Sequence, residues 1–390
     1  MQKIVEEARE MQEELVQMRR YLHRNPEVGL ELPVTKAFVM EQLRRMGITP
    51  VEVGTSGVSA LLGQGNKTIL LRADMDALPA REAGSCSFSA DNGNGHLCGH
   101  DLHAACLLGA AKILKRHEGE LKGCVKLMFQ PAEETGKGAQ EMIQAGIMEN
   151  PPVDAAIALH VNPEIPVGRA GYRKGFMSSS LDAFLIHIQG KGGHGSTPEM
   201  TVSPIAIASH MELMLESLVQ REIGAFEPVV LTTGKLGGGN LANVIPDTAV
   251  VEMTSRCYNS NIREFIDQRV HEIAEHVCAA LRGSCTIQHT GCPSVFVAES
   301  VMDTVKVVLD AVLGEECVEE IPHPFTGSED FSYISEQVPS AFFWMGAGDG
   351  QTTYPLHNPN VVFHEGVLWR GAAIMASSAM AWLNEEFRKQ

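Results

Sequence analysis

The chain has 390 residues, 44% hydrophobic, 20% charged and 6% aromatic, a composition that excludes a disordered or fibrous protein and is too long for a single small module. Lysine plus arginine (31) against aspartate plus glutamate (48) leaves a formal charge of −17, with no basic block to offset it, so nucleic acid and acidic membrane surfaces are poor partners. Residues 1–24 are charged and amphipathic (Glu6, Arg9, Glu13, Arg19) without the apolar run of a signal peptide, and no stretch approaches roughly 18 unbroken apolar residues. The expected location is the cytoplasm, where nine cysteines should be reduced and mostly just buried.

In chain order, hydrophobic periodicity predicts a helix to about Leu22, a helix over Thr35 to Met46 and a strand over Lys67 to Arg72. A long helix from Leu102 to Lys115 is followed by a strand at Val125 to Phe129, a helix at Gly138 to Ala145 and a strand at Ala155 to Leu159. This βα alternation predicts an α/β fold with a mainly parallel sheet flanked by helices, in which functional residues collect beyond the carboxyl ends of the strands. The pattern then changes to strand (Asp182 to Gln189), helix (Ser203 to Arg221), strand (Val229 to Lys235), strand (Thr248 to Cys257), helix (Arg263 to Leu281) and strand (Cys285 to His289). That βαββαβ order is the ferredoxin-like unit. Helices at Met302 to Leu313 and Glu365 to Arg388 and a strand at Ala341 to Met345 restore the α/β character. The expected organisation is an α/β domain over 1–180 and 293–390 with an α+β domain inserted at 181–292.

Several of these strands run into polar residues of one chemical kind. Thr68 to Arg72 leads into Asp74 and Asp76, Val125 to Phe129 into Glu133 and Glu134, and Ala155 to Leu159 into His160. Ala341 to Met345 leads through a glycine-rich loop to His357, and a separate loop brings Cys98, His100, Asp101 and His103 to the start of the long helix. Thiolate, imidazole and carboxylate converging on one sheet edge are the ingredients of a transition-metal site and favour zinc-like metals over magnesium or calcium. Cys98 and His100, two apart in an extended loop, can face the same side, and Gly99 lets the backbone turn. Asp101 is placed to cap the helix or to take part in catalysis. Of the adjacent Glu133 and Glu134, one can bind metal while the other serves as a general base toward water. Asp74 and Asp76 divide in the same way, or orient a metal-bound histidine, and His103 is a further candidate for such an orienting role.

The stretches RRYLHRNPEVGLE (19–31), LLRADMDALP (70–79), CGHDLH (98–103), FQPAEETGKGA (129–139), ALHV (158–161), GKGGHGSTPE (190–199), GGGNLANVIPDTA (237–249), TGSEDFSY (326–333) and LHNP (356–359) resemble the metallopeptidase family of aminoacylase, carboxypeptidase G and hippuricase. The Cys-Gly-His-Asp form is most similar to the N-acyl-amino-acid and auxin-conjugate amidohydrolases. The resemblance implies two divalent ions per subunit (zinc, manganese, nickel or cobalt) held by Cys98, His100, Glu134, His160 and His357, with Cys98 bridging. It implies Glu133 as general base with Asp76 in the catalytic set, and His194 reaching from the inserted lid into a partner subunit's site. Asn243 and Arg256 match positions that hold the substrate's carbonyl or carboxylate, a role for which the planar guanidinium is suited. The implied activity is hydrolysis of an N-acyl amino acid by a homodimer paired through the lid; a metallo-exopeptidase acting on dipeptides is the alternative, and a catalytically silent scaffold the rival from another class. Lys137 and His364 depart from the family's usual residues without touching an implied ligand.

Overall fold

The computed structural model describes residues 1–84, 86–351 and 354–385. Its contacts divide the chain into two compact units, the first of Met1–Met177, Val295–Pro324 and the chain from Asp330 onward, the second of Ser178–Ser294 with Phe325–Glu329.

The first unit begins with two helices, α1 (Gln2–Glu10) and α2 (Gln12–Arg24), where the sequence predicts one. Met11, between them, bonds its amide to the carbonyls of Glu7 and Ala8, and neither proline nor glycine marks the break. Helix α3 (Pro33–Arg45) starts on a proline, which suits the first helical turn because no bond to its missing N–H is needed there. Strands β1 (Pro50–Val53), β2 (Gly57–Gly63) and β3 (Thr68–Asp74) follow, then α4 (His100–Arg116), β4 (Cys124–Gln130), α5 (Gly138–Gln144), β5 (Ala155–Pro166) and β6 (Ala170–Tyr172). β3 and β4 are buried along their whole length, as expected of strands covered on both faces. The charge this buries in β4 is satisfied locally: Lys126 Nζ donates to the carbonyls of Ile147, Glu149 and Pro151 at 2.9, 2.7 and 2.8 Å.

The inserted unit contains β7 (Leu181–Gln189), α6 (Pro204–Glu222), β8 (Val229–Gly238), β9 (Thr248–Cys257), α7 (Ser260–Ala280) and β10 (Ser284–Cys292). Ser203 caps α6 by accepting from the Ala206 amide at 3.3 Å. The sheet order is β8-β9-β7-β10 with every pair antiparallel, the ferredoxin-like arrangement. Strict alternation in β7 turns Phe184, Ile186 and Ile188 inward, where they join Ile207, Met211 and Leu215 of α6 and Val270, Ile273 and Val277 of α7 in one apolar core.

The chain returns to the first unit through α8 (Glu299–Leu313), β11 (Val318–Glu320), β12 (Ser340–Gly348) and α9 (Val367–Asn384); the predicted end of that last helix, at Arg388, lies outside the described residues. Its eight-stranded sheet has the order β1-β2-β4-β3-β5-β12-β6-β11. The central run β4-β3-β5-β12 is parallel, whereas β1 and β2 on one flank and β6 on the other add antiparallel pairs. Helix α9 packs on α4, closely enough that a Cβ at Gly109 would stand 2.7 Å from Ala372 Cβ. Among the described residues no helix is long and apolar enough to cross a membrane.

Candidate metal centre

Because β4, β3 and β5 are parallel neighbours, their carboxyl ends open on one edge of the sheet. β3 stops at Asp74. β4 stops at Gln130, and Ala132 then adopts a left-handed φ of 54°, a turn that sends Glu133 and Glu134 off the strand. β5 does not end before His160 as the sequence predicts. Its pairing with β12 continues to Pro166, while its pairing with β3 stops at Ala158, so His160 sits inside the strand where the β3 side has opened. Cys98 is delivered by a turn at Gly99 (φ 84°), where any Cβ would stand 2.4 Å from Val161 Cγ2. His357 also has a left-handed φ, 66°, and its amide donates to the Leu97 carbonyl at 2.9 Å, fastening the two loops together. Strained non-glycine backbone of this kind is concentrated at functional sites.

The side chains converge. Cys98 Sγ lies 3.5 Å from His160 Nε2 and 3.3 Å from His357 Nε2, and His357 Nε2 lies 3.3 Å from Glu134 Oε1. His100 Nε2 is 3.9 Å from both Glu134 Oε1 and Glu133 Oε2. Two of the resulting trios of donor atoms share Cys98, one with His100 and His160 and one with Glu134 and His357, the atoms of each within 4.8 Å of one another. Cys98 belongs to both. His100 Nε2 and Glu134 Oε1 are buried without a hydrogen-bond partner, the condition of a ligand atom prepared for an ion. The opposite ring nitrogens are engaged: His100 Nδ1 faces the Asp76 carbonyl at 3.0 Å and His160 Nδ1 the Val161 carbonyl at 2.8 Å. A carbonyl only accepts, so each Nδ1 carries a proton and each Nε2 is the ring nitrogen turned toward the cluster. A thiolate, three imidazoles and a carboxylate suit zinc and its borderline neighbours.

The electrostatics fit a cluster prepared for cations. Burial, and then the charge of Glu134, raises the Cys98 thiol. His357, hydrogen-bonded to Cys98 and lying beside the Glu134 carboxylate, is raised to about 10. Ligands that hold protons in this way release them when a metal takes their place. Asp76 Oδ1 accepts from the Glu133 amide at 3.0 Å and Oδ2 from the Glu134 amide at 3.2 Å, so its carboxylate clamps the glutamate turn. Burial alone would raise Asp74, but Arg72, His100 and His103 hold it well below the usual carboxylate range.

Asp101 departs from both expectations. Gly99, not Asp101, stands at the N-cap of α4, and the Asp101 carboxylate turns away to accept from Arg19 Nε at 2.6 Å and to meet His23 Nδ1 at 2.8 Å. Arg19 also reaches Glu365, at 3.2 Å. His23 is thus part of a buried charged cluster, a placement that nothing in its sequence neighbourhood indicates. Arg72 carries its signal in the sequence itself, a cation set between the apolar Ile69–Leu71 and Ala73 of the buried β3.

The remaining predicted residues are in the inserted unit. His194 pairs with Val244 in a short antiparallel bridge, and the Gly195 amide donates to the Asn243 carbonyl at 2.9 Å, so His194 and Asn243 are neighbours. Ser196 donates its amide to His194 Nδ1 at 3.1 Å, which leaves Nε2 as the ring's outward N–H. Arg256 is near the other end of β9 and donates to the Thr326 carbonyl at 2.9 Å.

The chain is 35% identical over 383 residues to N-acetyl-L-cysteine deacetylase of Bacillus subtilis, covering 96% of this chain and 90% of the relative. It is 37% identical over 384 residues to IAA-amino acid hydrolase ILR1-like 2 of Arabidopsis thaliana, covering 96% and 86%. The crystal structure of the Bacillus subtilis YXEP protein, described as a dinuclear metal binding peptidase, superposes with a TM-score of 0.81 at 28% identity over 96% of this chain and 99% of that one. Residues 70–381, from the strand that ends in Asp74 almost to the end of α9, match the peptidase family M20/M25/M40, and the chain belongs to that family.

Proposed function

We propose that this protein is a binuclear metal-dependent amidohydrolase that cleaves the amide bond of N-acyl-L-amino acids or similar conjugates into a carboxylic acid and a free amino acid. The observation that carries this reading is Cys98, shared by two trios of donors with the Glu133 carboxylate beside them. The names of the two relatives, a deacetylase of an N-acetyl amino acid and a hydrolase of an IAA-amino acid, support the same bond.

In this reading Cys98, His100, Glu134, His160 and His357 hold the two ions, zinc, manganese, nickel or cobalt. Such ions, when bound, supply Lewis acidity that makes water a nucleophile near neutral pH and polarises the scissile carbonyl. Glu133 takes the proton of the attacking water as the new C–O bond forms, and returns it to the amine nitrogen as the C–N bond breaks. Asp76 acts by position, holding both glutamate amides and, through its carbonyl, the His100 ring. Arg256 offers a cation for the substrate's carboxylate, and the His194 Nε2–H and Asn243 offer donors for its carbonyl.

Those three residues cannot all serve one site from a single inserted unit. His194 and Asn243 lie near the Thr248 end of β9, whereas Arg256 is eight residues further along, roughly 26 Å at the rise of an extended strand. A homodimer paired through the inserted unit lets His194 and Asn243 act in the partner's site, and this is the assembly we propose, in the cytoplasm, where the nine free cysteines would stay reduced.

The test is a panel of acetyl, benzoyl and indole-acetyl amino acids set against unblocked dipeptides, with metal-loaded protein. The amidohydrolase reading predicts turnover of the acyl amino acids and little of the dipeptides. The reverse preference would make the protein a metallo-exopeptidase, and no turnover by a metal-loaded chain would revive the silent scaffold.

A further inference from the structure

Beside the two trios that share Cys98 stands a third, Asp74, His100 and His103, whose donor atoms also lie within 4.8 Å of one another and whose side chains are all buried. It invites a reading as another ion site, but two of its members are already committed. Asp74 Oδ2 accepts from Arg72 Nη1 at 2.6 Å, and Asp74 Oδ1 faces His103 Nδ1 at 2.5 Å. On the far side of the ring, His103 Nε2 lies 2.8 Å from the Val161 amide nitrogen. A backbone amide only donates, so Nε2 is the acceptor and the ring proton is on Nδ1, directed at Asp74. Neither nitrogen is left for a metal.

The relay continues to a ligand. The carbonyl of the same Val161 accepts a hydrogen bond from His160 Nδ1 at 2.8 Å, which aims His160 Nε2 toward Cys98, and the His103 and His160 rings meet edge to face with centroids 4.5 Å apart. All of this occurs where β3 has stopped pairing with β5, after Ala158. Side chains there do the work that the next ladder bonds would do in a continuous sheet.

We infer that His103 is a positioning residue. Fixed by Arg72 and Asp74, it holds Val161 and therefore His160, and so sets the ion position formed by Cys98, His100 and His160 while leaving the Cys98, Glu134 and His357 position to other supports. This inference rests on the binuclear reading above, but it concerns only which residue orients a ligand.

Two substitutions separate the legs of the relay. His103→Asn places an amide where Nδ1 stands, keeping a partner for Asp74 but leaving the Val161 amide without an acceptor; His103→Gln extends an acceptor toward Val161. Hydrogen exchange of the Val161 amide in the metal-free protein, and the affinity of each of the two ions by chelator competition, are measured for both. The expected result is a Val161 amide that exchanges faster in His103→Asn, with one ion weakened roughly 10- to 100-fold, the range for residues that orient a ligand, and the other nearly unchanged. His103→Gln should recover most of both. An asparagine variant with wild-type affinity at both ions, or a glutamine variant as impaired as the asparagine one, would overturn the inference. Should the asparagine variant not fold, the ring ¹⁵N shifts of His103 in the metal-free wild type decide, since a proton on Nε2 contradicts the relay. A wild-type protein that binds no divalent ion would instead remove the binuclear reading itself, before any variant is compared.

Discussion

The core of the inserted unit and the carboxyl edge of the large sheet are both buried, yet they are built on opposite terms. In the inserted unit, Phe184, Ile186 and Ile188 alternate inward against Met211, Leu215 and Val270 with no charge among them. At the sheet edge, Arg72, Asp74, His100, Asp101 and His103 are at most 1% exposed, and Ala132 and His357 hold left-handed backbone. Apolar burial stabilises in proportion to the area removed from water and tolerates neighbours of many shapes. Buried charge stabilises only when every partner is present and otherwise costs several kcal/mol. The contrast locates the chemistry in the region whose own folding depends on completed networks.

The sharpest break between the regions comes from the two glutamates. Glu133→Gln should lower kcat by about 10²- to 10⁴-fold, the usual worth of general-base catalysis, with both ions retained, whereas Glu134→Gln should lose metal together with activity. Parallel behaviour of the two in metal analysis would end the division of roles between adjacent carboxylates.

The proposed role of His194 in a partner's site is the part that mixing tests. Dimers of His194→Ala and dimers of Glu133→Gln should each be nearly inactive, but subunit exchange between equal amounts makes about half the dimers mixed, each with one complete site. About a quarter of wild-type activity should return. Demonstrated exchange without recovery would confine His194 to its own subunit or to no role.

A smaller effect separates the two kinds of burial by pH. Burial pushes the His23 imidazole down, but Asp101 beside it, by charge and hydrogen bond, together with Cys86 and Glu82, raises it to about 10. A histidine raised in this way gives stability that is complete below its unfolded value near 6.5 and is lost as pH rises through 10, with a slope of at most about 1.4 kcal/mol per pH unit for one group. Urea denaturation between pH 7 and 10 should therefore show a fall in wild-type stability that His23→Gln largely abolishes. An identical slope in both proteins would show that the cluster does not hold His23 charged.

The same contrast explains what could be read from the sequence. Alternation and helical spacing give the order of elements in the inserted unit because each element buries one face and shows the other to water. The strands Pro50–Val53, Ala170–Tyr172 and Val318–Glu320, of three or four residues, carry too little period to be read from sequence, and Gly57–Gly63, though seven residues long, is small or apolar throughout and shows no alternation. Cys98, His100, Glu134, His160 and His357 could be named because their residue types are rare together and because the motifs resemble a known family. The partners of Asp101 could not, because Arg19 and His23 are 82 and 78 residues away and no local pattern joins them. The place of His103 in its motif marks it as a candidate orienting group, but only the Val161 amide, which becomes available where two strands part, fixes its direction.

The central claim is that one thiolate serves two ions, and metal stoichiometry tests it most directly. Wild-type protein saturated with zinc or manganese and freed of excess should hold two ions per chain, and Cys98→Ser should lose affinity for both together, because a serine hydroxyl is a far poorer bridging donor than a thiolate. A folded Cys98→Ser protein that keeps two ions with wild-type affinity, or that loses one while the other binds unchanged, would contradict the shared ligand.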